Sequence, residues 1–152
     1  MNKIIISDTS CLIALSNIGL LHLLKDLYGE VIMTTEVYSE FGRGLPDWII
    51  VIQVKNKSKQ VEIENRLDKG EASSIALALE IPNAILIIDE VKGRNFAKSL
   101  NIEIIGTIGV LILAGNKGLV KDVISVILKL TNQGFRLSDK LIEKIIEKYE
   151  KK

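Results

Sequence analysis

Carboxylates that directly follow apolar runs are the residues of this chain best suited to chemistry. Asp8 follows the run at residues 3–7, and Asp89 follows a second run at residues 84–88. Open parallel α/β sheets bind ligands beyond the carboxyl ends of their strands, so two neighbouring strands would bring Asp8 and Asp89 to one edge. The alternative is that each Asp caps the helix after it, because Asp is a preferred N-cap residue.

Two glutamates extend this set of acids. Glu71 opens a predicted helix at residues 71–79, whose small apolar side chains favour close packing on a sheet. Glu40 lies one turn after Glu36 on the same face of a predicted helix that ends before Gly42. Compensation of the helix dipole explains Glu36 in the first turn and is an alternative role for Glu71. Glu40 lies near the other end of its helix, where that explanation does not apply.

Four carboxylates without His or Cys beside them favour hard cations. The chain has one Cys and one His, which excludes an intrachain disulfide and a zinc site built from such ligands. Oxygen ligands select Mg²⁺ or Mn²⁺. Clustered carboxylates repel one another, and a divalent ion relieves this repulsion while it binds a phosphate. These residues therefore favour metal-dependent phosphoryl chemistry.

The composition limits the partners of the chain. Its 152 residues are 47% hydrophobic and 26% charged, which is typical of a globular domain and excludes intrinsic disorder. Twenty Lys and Arg residues against nineteen Asp and Glu residues give a net charge of +1. Nucleic-acid contacts are therefore expected to be local or metal-mediated, since binding through bulk charge needs a more basic chain. Without a secretory signal or an apolar run of ~18 residues, we expect a cytoplasmic protein with no membrane partner.

The elements that must position these acids alternate along the chain. Apolar β-branched runs predict strands at residues 3–7, 31–33, 49–52, 84–88 and 103–105. Helical spacing and cap signals predict helices at residues 18–27, 35–41, 61–67, 71–79, 91–100, 108–114, 120–130 and 138–149, with a polar turn at 56–59. This alternation is typical of an α/β domain with a largely parallel sheet. Without a linker or repeat, a single domain over residues 1–152 is expected.

Four short motifs, each with one of the acids, resemble in order those of PIN-domain proteins. They are Asp8-Thr9-Ser10, Val37-Tyr38-Ser39-Glu40, Gly70-Glu71-Ala72 and Ile87-Ile88-Asp89. Their order and spacing agree with the family along nearly the whole chain. Two further motifs, Gly106-Thr107 and Gly134-Phe135-Arg136-Leu137-Ser138, resemble a subgroup with Glu as its third acid, where better known members have Asp.

The resemblance implies a three-layer α/β/α fold around a central, largely parallel sheet, and a metal-dependent ribonuclease site. Asp8, Glu40, Glu71 and Asp89 would be its catalytic residues and would hold one or two Mg²⁺ or Mn²⁺ ions, which activate water and stabilise charge on the phosphate. The residues expected to support this site are Thr9, Ser10, Glu90, Arg94 and Thr107. Glu90 is also an alternative to Asp89 as a metal ligand. Arg94 either binds a phosphate or carboxylate group, or has a structural role.

Many proteins of this family are toxins of toxin–antitoxin pairs and form homodimers. The resemblance therefore implies an RNA substrate, an antitoxin protein as a partner and a homodimer. One alternative is a PIN fold with weak catalysis that binds RNA or protein. A phosphoacceptor or aspartyl phosphatase is disfavoured, because Asp8-Thr9-Ser10 supplies neither an acidic pair nor an Asp-x-Asp motif.

Overall fold

Five short apolar strands form the centre of the structure, a computed structural model that describes residues 3–150. They are β1 (Ile4–Ser7), β2 (Val31–Thr34), β3 (Ile49–Ile52), β4 (Ala84–Ile87) and β5 (Glu103–Ile105). They pair in the order β3-β2-β1-β4-β5, and every pair is parallel. The predicted α/β fold with a parallel sheet is confirmed.

Helices connect and cover these strands. They are α1 (Thr9–Asn17), α2 (His22–Tyr28), α3 (Thr35–Phe41), α4 (Lys57–Glu64), α5 (Lys69–Glu80), α6 (Val91–Ser99), α7 (Thr107–Asn116), α8 (Val123–Asn132) and α9 (Asp139–Glu150). The single helix predicted at residues 18–27 is wrong in its extent. Gly19 has φ +73° and separates α1, which is absent from the set of predicted helices, from α2. The predicted turn at residues 56–59 is also wrong, because Asn56 caps α4 there.

The strand order reverses between β1 and β4. The chain builds β1, β2 and β3 outward on one side and then returns to place β4 and β5 on the other side. Ser7 is the register partner of Ile87, and the backbone N–H of Asp8 donates to the Ile87 carbonyl at 2.9 Å. The segments that leave β1 and β4 therefore emerge side by side.

Helices pack on both faces of the sheet and complete three layers. Ile5 and Ile87 face a core shared with α1, α2, α3, α7, α8 and α9. Ile6 and Leu86 face a second core, shared with α4, α5 and α6. The alternation of side chains along a strand explains this division, because consecutive residues point to opposite faces.

No single helix within residues 3–150 has the length and hydropathy to cross a membrane. One bent pair, Thr9–Asn17 with His22–Tyr28, passes the same test of length and composition, with 118° between its two helices. Leu12 and Leu24 of this pair are fully buried in the core.

Candidate active site

A cleft of about 800 Å³ lies where β1 and β4 end. This is the point at which the strand order reverses, and open parallel sheets bind ligands there. The cleft is lined by Asp8, Thr9, Ser10, Ile13, Glu40, Arg66, Leu67, Asp68, Glu71, Asp89, Glu90, Lys92, Gly134, Phe135 and Arg136. The four acids predicted from the sequence are thus brought to one cleft.

Asp8 stands at the end of β1 and is only 6% exposed. It occupies the N-cap position of α1, but its side chain does not form the capping hydrogen bond to the second or third N–H of that helix. Helix capping therefore does not explain this Asp. Its carboxyl group is buried with a hydrogen bond from the backbone N–H of Thr9 instead.

Burial of the carboxyl group raises the pKa of Asp8 from 3.8 to about 7. The backbone N–H of Thr9 acts in the opposite direction by donating a hydrogen bond to it. The negative charges of Glu71, Asp68 and Glu40 raise the pKa further. The ionised form of Asp8 is therefore unfavourable in the folded chain unless a positive charge joins it.

Asp89 lies two residues beyond β4 in a very different environment. The backbone N–H of Thr107 donates to Asp89 Oδ1 at 2.7 Å. The Thr107 hydroxyl donates to Oδ2 at 2.6 Å, and the Ser10 hydroxyl donates to the same oxygen at 2.9 Å. Asp89 thus caps the first turn of α7 instead of the helix that follows it. A carboxylate oxygen accepts about two hydrogen bonds, so Oδ1 retains a lone pair for a ligand.

Glu40 reaches the cleft because α3 begins directly at the end of β2. The Thr34 side chain caps α3 by accepting from the backbone N–H of Val37 at 3.0 Å. Glu40 then lies one residue before the end of the helix, exposed, and its Oε1 accepts from the Thr9 hydroxyl at 2.6 Å. Its carboxylate packs against Gly70, where a Cβ atom would collide with it.

Glu71 lies in the first turn of α5 and is 7% exposed. Asp68 caps this helix and accepts from the backbone N–H of Glu71 at 2.9 Å. Burial raises the pKa of Glu71 to about 7, and the charges of Asp68 and then Glu90 act in the same direction. Gly93 of α6 leaves room for its Oε2, which lies 3.2 Å from where a Cβ atom would be.

Glu36, one turn before Glu40, lies outside the cleft. It accepts from the Gln60 side-chain amide at 2.6 Å and forms an ion pair with Lys57 at 3.5 Å. Partial burial acts to raise its pKa, but the hydrogen bonds from Gln60 and Thr35 and the charge of Lys57 lower it overall. The carboxylate of Glu36 is therefore engaged in structural hydrogen bonds and an ion pair, and this makes Glu36 a matched comparison for Glu40.

The predicted supporting residues divide into two groups. Thr9, Ser10 and Glu90 line the cleft, and the first two donate to its carboxylates. Thr107 is fully buried behind Asp89. Arg94 lies outside the cleft, and its Nη1 donates to the Ile88 carbonyl at 2.9 Å.

The acids of the cleft fit a hard divalent cation by their chemistry. Oxygen donors suit Mg²⁺ or Mn²⁺, and two of the carboxyl groups have pKa values raised by burial and by neighbouring negative charges. Within residues 3–150, however, no three Asp, Glu, His or Cys side chains already stand close enough to share one ion. Mutual repulsion keeps like charges apart, so a cation would have to draw the carboxylates together.

Five other charged or aromatic residues of the cleft were not singled out as site residues from the sequence. They are Asp68, Arg66, Lys92, Phe135 and Arg136. Asp68 had a readable signal, because an acidic N-cap residue three positions before Glu71 is a capping-box pattern. Phe135 and Arg136 had a signal only in the resemblance of Gly134-Phe135-Arg136-Leu137-Ser138 to a family motif. Arg66 and Lys92 had none, since their position depends on how distant segments pack.

The comparisons with known proteins place the chain by its sequence. The family model DUF3368, described as a PIN domain, matches residues 4–151, which include every acid of the cleft. No curated protein and no solved structure matches the chain.

Proposed function

Because this chain belongs to the PIN-domain family, whose fold is of the nuclease type, we propose that it is a metal-dependent endoribonuclease. Its substrate would be RNA, and the bond hydrolysed would be a phosphodiester. Asp8, Glu40, Glu71 and Asp89 would be the catalytic acids and would hold Mg²⁺ or Mn²⁺. A bound divalent ion lowers the pKa of water and neutralises the charge that develops on a phosphate.

One observation carries this proposal. Asp8 and Glu71 are buried, their pKa values are raised to about 7, and they face other carboxylates at the switch point of the sheet. Among the described residues, no ion pair involves either acid. Such a concentration of buried acids is unfavourable for the isolated fold and is typical of sites that bind a cation.

Neighbouring hydroxyl groups orient the other two carboxylates of the site, those of Glu40 and Asp89. Thr9 holds Glu40, while Ser10 and Thr107 hold Asp89 through short hydrogen bonds. Such bonds fix the direction of the oxygens before a ligand arrives, and this lowers the entropy that binding must remove. These hydroxyls are therefore positioning residues for the two acids.

The proposal is tested by cleavage of a labelled single-stranded RNA with Mn²⁺, with Glu40→Gln and Glu36→Gln as a matched pair. Both substitutions remove one negative charge from α3, one turn apart. We expect Glu40→Gln to lower the single-turnover rate at least about 10²-fold, because a group that positions the reactants is lost. Glu36→Gln should keep the rate within about threefold.

Isothermal titration supplies a second measurement that does not depend on turnover. Mn²⁺ should bind to the unaltered protein, and Asp8→Asn and Asp89→Asn should each weaken the binding strongly. Unchanged Mn²⁺ affinity in both variants would remove the metal site, and equal cleavage by the two α3 variants would remove Glu40 from it.

The distance between the carboxylates favours one alternative. Because no three metal-ligand side chains already converge within residues 3–150, a PIN fold that binds RNA or protein with weak catalysis fits the structure as well. This alternative predicts RNA binding without Mn²⁺-dependent cleavage. The cleavage assay therefore separates it from the nuclease.

The finer parts of the proposal concern the biological role. We propose that this nuclease is the toxin of a toxin–antitoxin pair, acting as a homodimer. Growth arrest on induced expression, absent with Glu40→Gln, would support the toxin role. Light scattering would distinguish a dimer from a 16.9 kDa monomer.

A further inference from the structure

A second cavity, of about 630 Å³, adjoins the acidic cleft. The two share Asp89, Phe135 and Arg136 as lining residues. The second cavity extends from this shared boundary past the end of β5 to the start of α9, where Leu141 lines it. Its volume lies within the range of about 300–1,000 Å³ that is usual for sites of small organic ligands.

The two cavities differ in charge. The cleft is lined by six acids, namely Asp8, Glu40, Asp68, Glu71, Asp89 and Glu90, and by three cations. Among the described residues, two cations line the second cavity, Arg94 and Arg136. The one acid described in its lining is Asp89, which the two cavities share. Both oxygens of Asp89 already accept hydrogen bonds. An anion is therefore repelled by the acids of the cleft but attracted to the neighbouring cavity.

Arg136 is the cation of this cavity that is available to a ligand. Arg94 is half-buried and uses Nη1 on the Ile88 carbonyl. Arg136 is exposed and forms no ion pair with any residue that the structure describes. Its guanidinium can offer two parallel N–H donors, which is the geometry that phosphate oxygens accept.

Most of the remaining wall of the cavity is apolar. Ile104, Ile105 and Ile108 line it, and the half-buried ring of Phe135 stands at the boundary with the cleft. Phe135 follows Gly134, whose φ of +95° turns the chain after α8, and its N–H donates to the Leu130 carbonyl at 3.0 Å. The backbone at Phe135 is thus fixed, and the ring packs partly against the core, so its remaining surface is a stacking surface for a base.

We propose that this cavity is a nucleotide subsite for single-stranded RNA, next to the phosphate that is cleaved. Arg136 contacts the phosphate of the adjacent nucleotide, and Phe135 stacks on its base above the isoleucine wall. This inference rests on the proposed nuclease function and adds the residues that bind the strand. It also explains how a chain of net charge +1 binds a polyanion beside six acids.

Fluorescence anisotropy of a labelled single-stranded oligoribonucleotide in EDTA tests the subsite without cleavage. Arg136→Gln should weaken binding at least about tenfold, because a charge-assisted hydrogen bond to phosphate is lost. It should also lower the slope of log K against log salt by about 0.7. Lys129→Gln is the matched control, since it removes one exposed positive charge from α8 outside both cavities. We expect its affinity to change less than twofold.

The aromatic contact is tested by a second pair of variants. Phe135→Leu keeps an apolar side chain against the core but removes the ring, and we expect about tenfold weaker binding. Phe135→Tyr keeps the ring and should bind as the unaltered protein does. Thermal melting controls for folding in both.

The outcomes separate this inference from the proposed function. The subsite would be overturned if Arg136→Gln and Phe135→Leu bound RNA with the same affinity as Lys129→Gln. It would also be overturned if the unaltered protein bound no RNA. Cleavage with Mn²⁺ is scored independently. Binding that depends on Arg136 and Phe135, without any cleavage, would retain the subsite and reject the nuclease.

Discussion

The burial of Asp8 predicts an unusual dependence of stability on pH in the metal-free protein. Its pKa is about 7 in the folded chain against 3.8 ordinarily. A carboxyl group with a raised pKa stabilises the fold when protonated, and this contribution is lost as the pH rises through the folded pKa. From pH 5 to pH 8 the loss is about 3 kcal/mol, since each pH unit below the folded pKa corresponds to ~1.4 kcal/mol.

Asp8→Asn removes the titrating group and keeps a similar shape. The variant should therefore lack this loss, so that its stability relative to the unaltered protein rises by about 3 kcal/mol from pH 5 to pH 8. For a chain of this size that is a relative rise in Tm of roughly 6–12 °C. Glu71, whose pKa is also about 7, is present in both proteins, so the difference between them reports the titration of Asp8 together with its interaction with Glu71.

Thermal melting at pH 5 and pH 8 in EDTA, and again at pH 8 with saturating Mn²⁺, is the assay. Mn²⁺ should raise the Tm of the unaltered protein, because a ligand of the folded state stabilises it, but should barely affect Asp8→Asn. A variant that is less stable by the same amount at both pH values would refute the reasoning. It would mean that the buried charge of Asp8 is compensated.

Two further substitutions test the spacing within the cleft. Glu71→Asp shortens a buried carboxylate arm and should lower Mn²⁺-dependent cleavage about 10²-fold with little change in Tm; equal single-turnover rates would leave a three-acid site. Gly70→Ala places a methyl group against the carboxylate of Glu40 and should weaken Mn²⁺ binding in isothermal titration. Gly44→Ala is the control, because a methyl group there meets no described atom within 4 Å. Equal Mn²⁺ affinities of the two variants would show that Glu40 moves aside without any effect on metal binding.

The sheet was predictable because buried parallel strands carry a strong local signal. Continuous apolar runs such as residues 84–88 end at a polar residue, and both ends are visible in the sequence. The rule on the carboxyl ends of such strands then anticipated that Asp8 and Asp89 would share an edge, and the pairing of β1 with β4 explains why they do. Pairing itself cannot be obtained from spacing, because it depends on contacts distant along the chain.

The helix α1 was missed for a physical reason. Its residues 11–15 are uniformly apolar, and Cys11, Leu12 and Leu15 are fully buried. A helix that is buried on most sides has no polar face, so the 3.6-residue period that reveals amphipathic helices is absent. The Asn56 cap of α4 was overlooked for the opposite reason, since the charged residues after it resemble a solvated turn.

The site was predictable in its acids but not in its cations. Asp8 and Asp89 follow strands, Glu71 begins a helix and Glu40 lies near the end of one, and each of these elements has a local signal. Arg136 belongs to a motif that resembles the family, but it reaches the cleft only because the turn after α8 packs there. The pKa values of Asp8 and Glu71 were equally out of reach. They are set chiefly by burial, which is a property of the assembled layers and not of the residue type.

The two aspartates at the ends of adjacent strands are chemically alike but are held in opposite ways. Asp89 accepts hydrogen bonds from Thr107 and Ser10, so its charge is stabilised by donors that the fold supplies. Asp8 is buried deeper and faces other carboxylates, so the cost of its charge is met by no described cation. Differences of this kind between paired acids assign them different tasks. In the proposed nuclease, Asp89 would therefore fix a direction in the cleft, and Asp8 would supply the unmet charge that draws a divalent ion to it.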